Sequence, residues 1–305
     1  MMDNNKIMII GTGNVGASIA FALINQRTAV NEIVLTDIIA KDAEGEAMDL
    51  RDALAVAPSF VKIKNGTYKD AKDCDIVVIT AGAAQKPGET RMELLAKNVN
   101  ILKGMIEQIM ASGFDGIFLI VTNPMDVLTY YTMKFSKLPA ERVIGSGTVL
   151  DSARLQTRIA DYLNVNPKSI HAHQIGEHGD TELTLWSLAD MGGQKISDLL
   201  PAKVRKDISE FVRNEAYDII DKKGATHYGI ATCVVQILNC ILNDEMRVLP
   251  VSSYDYFSDT CFGFPSVVGR EGIVRRLDLK LSEKEGVELQ KSINALKKAI
   301  KSVKY

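Results

Sequence analysis

Cysteine is sparse in this chain: four in 305 residues (Cys74, Cys233, Cys240 and Cys261), widely spaced and with no C-x-x-C pair. That excludes a disulfide framework and a zinc ribbon, and it fits a reducing compartment. A strong charge of one sign is also missing. Lys and Arg number 36 against 38 Asp and Glu, a formal net charge of −2, which offers no field for wrapping nucleic acid. The one basic run, 291–304, reads as the solvated face of a helix. No apolar stretch approaches the ~18–20 residues that span a bilayer. The first apolar strand begins at Lys6, which leaves no room for a leader. There are no internal repeats, low-complexity tracts or long linkers. The expectation is a cytoplasmic protein with neither a membrane nor a nucleic-acid partner.

With hydrophobic residues at 46%, the composition is that of an ordinary globular protein. Its length suits two domains of about 150 residues, each able to bury a core. In the first half, apolar runs at 6–10, 32–37, 61–64, 75–81 and 116–122 read as strands, and 15–26, 42–55 and 92–110 as amphipathic helices. Such alternation implies crossover connections and a mostly parallel sheet. Ile76-Val77-Val78-Ile79 and Ile117-Phe118-Leu119-Ile120-Val121 are apolar throughout, as strands covered on both faces should be. From about Gly145 the texture changes to helices at 148–163, 204–222 and 225–242, short strands near 171–175, 247–252 and 272–279, a hairpin turn at Met191-Gly192-Gly193 and a last helix from Ser282. The expected architecture is a Rossmann-type, doubly wound parallel sheet over 1–144, followed by an α+β domain over 145–305.

Gly11-Thr12-Gly13-Asn14-Val15-Gly16 follows a strand and opens a helix. The first glycine makes the tight turn, the second admits a pyrophosphate to the backbone, and the third packs helix on strand. Asp37 ends the next strand, where a carboxylate can accept from a ribose 2′-hydroxyl. No arginine directly follows it to pair a 2′-phosphate, so the motif favours NAD over NADP. The plain alternative for Asp37 is a strand-ending turn residue.

Four polar clusters follow, and each has a plain reading beside a functional one. The loop Gln85-Lys86-Pro87-Gly88-Glu89-Thr90-Arg91 is a charged surface loop or a mobile lid carrying an arginine and a glutamine. Thr122-Asn123-Pro124 is a simple turn, or the strand end where open α/β sheets bind ligands. Asp151 and Arg154, three apart on a helix, are an ion pair or two site groups sharing a face. In Gly176-Glu177-His178-Gly179-Asp180 the histidine satisfies a local bond or moves a proton.

Hydride transfer to a 2-keto acid requires these residue types together. A histidine donates a proton to the forming alkoxide, and a carboxylate on its other ring nitrogen fixes the tautomer. A guanidinium grips the substrate carboxylate. A second cation, brought in by a closing loop, stabilises the carbonyl oxygen as charge builds.

Taken in order, GTGNVG, TAGAAQKPGETR, VTNPMDVLTY, VIGSGTVLDSAR, IGEHGDTEL, KKGATHYGIA and PSVVGREGI resemble the lactate/malate dehydrogenase family over nearly the whole chain. The resemblance implies that His178 is the proton donor and acceptor and Asp151 its partner. Arg154 would grip the substrate carboxylate, Arg91 would polarise the carbonyl, and Asn123 would hydrogen-bond in the pocket. It implies NAD contacts from Gly11, Gly13, Val15, Gly16, Asp37, Tyr68, Gly82 and Ala83, with the nicotinamide near Val121, Asn123, Ser146 and Ile230. It also implies a homotetramer acting on a small molecule, and no metal.

Gln85 bears on substrate class, because the malate enzymes place arginine there to pair a second carboxylate. A neutral glutamine leaves that charge unpaired and buried, so pyruvate is favoured over oxaloacetate. Glu89 would add repulsion if it faces inward, and Thr226 in the GAT triplet agrees with the lactate branch. Three features depart from the family pattern. Asn214-Glu215-Ala216-Tyr217 replaces a usual Ala-Ala-Tyr on a helix that walls the pocket, which leaves a longer 2-hydroxy acid of the hydroxyisocaproate type open beside malate. Residues 252–264 form a shorter segment than in relatives. Gln156 stands where bisphosphate-activated relatives carry arginine, so His171 alone predicts weak or absent activation by fructose 1,6-bisphosphate. His171 and His173 alternate on a strand but have no third metal ligand nearby, and His227 has no stronger claim. Two other classes share the dinucleotide domain. A metal-dependent glycosidase needs cysteine beside histidine, which the sequence does not offer, and a non-catalytic NAD sensor should have lost a catalytic residue.

Overall fold

The computed structural model describes residues 5–83 and 90–303, and of Arg91 the backbone only. Gln85 and Glu89 lie outside the described residues, as does the Arg91 side chain. The first half runs β1 (Lys6–Ile10), α1 (Asn14–Asn25), β2 (Glu32–Thr36), α2 (Ala40–Ala53), β3 (Lys62–Asn65), β4 (Ile76–Ile79), α3 (Arg91–Ala111), β5 (Ile117–Ile120), α4 (Met125–Ser136) and β6 (Val143–Gly145). These six strands pair in parallel in the order β3-β2-β1-β4-β5-β6. The chain reverses its winding between β1 and β4, and ligands of such sheets bind outside the carboxyl ends at that reversal. As expected of strands covered by helices on both faces, β1, β4 and β5 are buried along their whole length.

The second half runs α5 (Val149–Leu163), β7 (Ile170–His171), β8 (Gln174–Ile175), β9 (Leu183–Thr184), β10 (Asp190–Met191), β11 (Gln194–Lys195), α6 (Ile196–Leu199), α7 (Ala202–Lys223), α8 (Tyr228–Leu242), β12 (Arg247–Leu249), β13 (Ser252–Asp255), β14 (Thr260–Gly263), β15 (Ser266–Gly269), β16 (Gly272–Arg276) and α9 (Glu283–Ser302). The turn expected at Met191-Gly192-Gly193 joins β10 to β11. The last helix starts where Ser282 predicts: its hydroxyl accepts from the Glu285 amide at 3.3 Å, and the Glu285 carboxylate accepts from the Ser282 amide at 2.9 Å.

The sheet does not stop at β6. The short segment around 252–264 forms the hairpin β13–β14, which extends the parallel sheet with two antiparallel strands, Ser252 lying opposite Gly145. Two elements leave little trace in the sequence. β6 has three residues, too few for a period to show. In α4, Met125 through Thr132 are all buried, so the helix lacks the amphipathic stripe that marks others.

One apolar cluster fills the space between the sheet and α1, α2 and α8. A second lies on the opposite face under α3, α4 and α9, and a third joins α5 to α7. All four cysteines are buried and free. Among the described residues no helix is long and apolar enough to cross a membrane.

Leu119 is fully buried in β5 against the first cluster. Its replacement by alanine is expected to lower unfolding free energy by about 3 kcal/mol. A reduced urea midpoint followed by circular dichroism is the check, and an unchanged midpoint would contradict the packing.

Candidate active site

The cradle forms where β1 turns into α1. Gly11 has φ of +98°, and a Cβ there would meet the Ala81 amide nitrogen at 2.6 Å. At Gly16 a Cβ would fall 1.8 Å from the Gly11 carbonyl oxygen, so only glycine lets α1 approach the turn. Gly13 differs, since nothing lies within 4 Å of where its Cβ would stand. It is the N-cap of α1, supplies no capping side chain, and precedes a first turn without acids. The first amides of α1 therefore stay open to an anion, as a dinucleotide pyrophosphate requires.

Asp37 is tied to this loop. Its Oδ2 accepts from the Thr12 amide at 2.7 Å and the Thr12 hydroxyl at 3.2 Å, and its Oδ1 accepts from the Ile39 amide at 3.1 Å. The turn role and the position beside the cradle are thus both real. Tyr68 lies close enough to Asp37 that burial, and then that charge, push its hydroxyl pKa up. Across the sheet reversal, Asn98 organises the other wall: its Oδ1 accepts from the Ala83 amide at 2.8 Å, and its Nδ2 donates to the Ala83 and Asn123 carbonyls at 3.4 Å each. The Ser146 amide donates to the Ile120 carbonyl at 2.8 Å, while Val15, Val121 and Ile230 pack on one apolar cluster.

His178 lies on the loop after β8, and four bonds to three elements fix that loop. Gly176 exchanges backbone bonds with Gly263 of β14 at 2.8 and 2.9 Å. The Glu177 amide donates to Ser292 Oγ at 2.7 Å, and the His178 amide donates to Asp126 Oδ2 at 2.7 Å. The imidazole Nδ1 then meets Asp151 Oδ2, from the first turn of α5, at 2.6 Å. The Asp151 side chain is 3% exposed and that of His178 26% exposed, so the far edge of the ring is reachable. The charge of Asp151 outweighs burial and holds the His178 pKa up at about 9. Burial alone would raise Asp151, but the His178 charge and bond and the Arg154 charge bring it below its ordinary value.

Arg154 Nη1 donates to Asp151 Oδ1 at 3.2 Å, so the intrahelical ion pair exists and belongs to the same cluster. On α5 and α7, which pass in opposite senses, Arg158 stacks on the Phe211 ring at 3.4 Å and, one turn along, Arg154 Nε lies 3.7 Å from Glu215 Oε2. Thr226 is half-buried in the turn between α7 and α8. Gln156 donates to the Ala172 carbonyl at 3.1 Å and His171 pairs with Asp190 at 3.3 Å, so both serve local contacts. His173 is largely buried, which lowers its pKa.

Two buried acids were not singled out in the sequence. Asp126, one helical residue past Met125, accepts from Ser252 Oγ at 2.5 Å as well as from the His178 amide. Burial pushes its pKa up to about 7 despite those bonds. Glu182 accepts from Gln174 Nε2 at 3.0 Å, and burial, then the Asp151 charge, push it up to about 8. The spacing of IGEHGDTEL holds a signal for Glu182, four residues past the histidine in a tight loop. Nothing near Asp126 announces its contact, which spans 52 residues. Among the described residues, Asp151, His178 and Glu182 are the one set whose ligand atoms could converge on a metal ion. The 2.6 Å bond between two of them suits a shared proton, since ligands on one tetrahedral ion about 2.0–2.2 Å away stand farther apart.

Family profiles match nearly all of the chain: lactate/malate dehydrogenase, NAD binding domain, over 5–145, and lactate/malate dehydrogenase, alpha/beta C-terminal domain, over 148–305. L-lactate dehydrogenase 1 of Peribacillus psychrosaccharolyticus is 50% identical over 306 residues, covering 97% of this chain and 96% of its own. The ligand-bound crystal structure of a minor L-lactate dehydrogenase from Enterococcus mundtii superposes with a TM-score of 0.97 at 41% identity, over 100% of this chain and 99% of that one. A lactate dehydrogenase from a Medee basin deep-sea metagenome library gives 0.97 at 44%, over 99% of both.

The Asp126 contacts generate a test. A native carboxyl that keeps its proton to about pH 7, against an ordinary value of 3.8, binds more protons than the unfolded chain across that window, so rising pH favours unfolding through this group. Asp126→Asn removes the titration. The thermal midpoint of wild type should therefore drop relative to the variant between pH 5 and pH 8, and a constant difference would contradict it.

Proposed function

The chain belongs to the lactate/malate dehydrogenase family, and on that premise we propose that it is an NAD-dependent oxidoreductase interconverting (S)-lactate and pyruvate. The observation that carries the reading is the 2.6 Å bond from His178 to a buried Asp151 that also holds Arg154. When bound, NADH supplies a hydride to the carbonyl carbon. Every other requirement falls on the chain. His178 donates a proton from its far ring nitrogen to the oxygen as alkoxide charge forms, and takes it back in lactate oxidation. Asp151 keeps the near nitrogen protonated and offsets the imidazolium charge. Arg154 receives the substrate carboxylate, and Arg91 acts on the carbonyl oxygen from its loop. Asn123 and Thr226 complete the substrate contacts.

For the cofactor, the open amides at Gly13 and the start of α1 receive the pyrophosphate, with Gly11, Val15 and Gly16 shaping the turn. Asp37 and Tyr68 serve the adenosine side. Gly82, Ala83, Val121, Asn123, Ser146 and Ile230 line the nicotinamide side. Residues 1–144 form the cofactor unit and 145–305 the catalytic unit. Assembly as a homotetramer in the cytoplasm follows the family expectation.

Pyruvate is preferred to oxaloacetate because Gln85 offers no charge to a second carboxylate. Two of the relatives named above are L-lactate dehydrogenases and the third a lactate dehydrogenase, which favours the same choice. A longer 2-keto acid is the second reading, and the changed α7 wall at Asn214 and Glu215 is what favours keeping it.

Four experiments test this reading. His178→Asn is expected to lower pyruvate reduction about 10²–10⁴-fold; a native rate at 340 nm would end the proposal. In the wild type, the pKa of about 9 means that pyruvate reduction fades as pH rises through that value while lactate oxidation gains. Among pyruvate, oxaloacetate and 2-ketoisocaproate, pyruvate should show the highest kcat/KM, and fructose 1,6-bisphosphate should change it less than about twofold, given the poor phosphate grip of one histidine. Faster turnover of oxaloacetate would refute the role given to Gln85.

A further inference from the structure

Arg154 is already crowded by protein carboxylates. A guanidinium grips a carboxylate through two parallel N–H groups on one edge, Nε with Nη2 or Nη1 with Nη2. Here Nη1 donates to Asp151 Oδ1 at 3.2 Å and Nε faces Glu215 Oε2 at 3.7 Å. Each gripping edge therefore has one nitrogen turned to an acid of the protein. Asp151 is fixed, since its other oxygen holds His178. Glu215 is not: its Oε2 is buried yet makes no hydrogen bond among the described residues, and its side chain keeps 24% exposure.

The register of two helices puts it there. Phe211 and Glu215 stand one turn apart on α7, opposite Arg158 and Arg154 on α5, and the stacked Arg158–Phe211 pair locks that alignment.

Resting on the reading of Arg154 as the substrate anchor, we propose that Glu215 is a specificity-determining residue that competes with the substrate carboxylate for Arg154. It faces the Nε edge of the guanidinium at 3.7 Å. An incoming 2-keto acid displaces it and leaves an anion beside its own carboxylate, so binding is weakened while the proton-transfer groups stay in place. On the opposite side of Arg154 stand Asp151 and, bonded to its other oxygen, His178.

The test is steady-state reduction of pyruvate with NADH by wild type, Glu215→Gln, Glu215→Asp and Glu215→Ala, with the dissociation constant of oxamate, an unreactive isostere of pyruvate, as a binding readout. Glu215→Gln should lower KM about tenfold, as removal of a nearby like charge predicts, and by more than kcat changes. Oxamate binding should tighten in parallel, and Glu215→Asp should stay close to wild type. An unchanged or raised KM in Glu215→Gln overturns the proposal. So does a fall confined to Glu215→Ala, which would assign the effect to bulk. Wild type that reduces none of the 2-keto acids brings down the function and this inference together, whereas active wild type with an indifferent Glu215→Gln brings down this inference alone.

Discussion

A neutral-pH proton donor must be charged where charge is costly. On the proposed function His178 is that donor, and its bond to Asp151 reconciles the two demands. The carboxylate is sealed from water, so its field on the imidazole is screened little, and the ring keeps its proton well above the range of a free histidine. Holding such a pair requires that neither partner drift, and much of the surrounding structure serves that need. α5 carries Asp151 in its first turn, while the loop with His178 is pinned to β14, to α9 through Ser292 and to α4 through Asp126. Four separate parts of the chain thus converge on one nitrogen–oxygen distance.

The cofactor side rests on a different constraint, the absence of side chains. Gly11 and Gly16 are needed because the backbone itself fills the space, whereas nothing lies within 4 Å of where a Gly13 Cβ would stand, and on the proposed function that space receives the pyrophosphate. Asn98 performs the corresponding task on the second wall with a single amide that spans Ala83 and Asn123. The two walls meet at the sheet reversal between β1 and β4, so topology and local chemistry select the same cleft.

Much of this is legible in the sequence. The parallel sheet followed from strands such as Ile76–Ile79 that are apolar on both faces, and the glycine spacing located the cradle. His178, Asp151 and Arg154 declared themselves because hydride chemistry needs those types and the motifs ordered them. What stayed hidden was of two kinds. α4 is buried nearly all round and therefore has no periodic stripe to detect. Asp126 and Asn98 act through contacts across 52 and 25 residues, and a one-dimensional pattern carries no sign of such partners. Glu215 was visible as an oddity, but its meaning depends on the register between α5 and α7, which only packing sets.

The hairpin β13–β14 has a bearing on how separable the two halves are. It supplies the outer strands of a sheet that the first half begins, and Ser252 seats directly on Gly145. Cut away the second half, and β6 becomes a bare rim with unsatisfied amides and carbonyls, the kind of border that recruits any passing strand. The nucleotide-binding portion is therefore a poor candidate for excision as a portable module. Grafting it elsewhere calls for carrying the hairpin along or capping that rim by design.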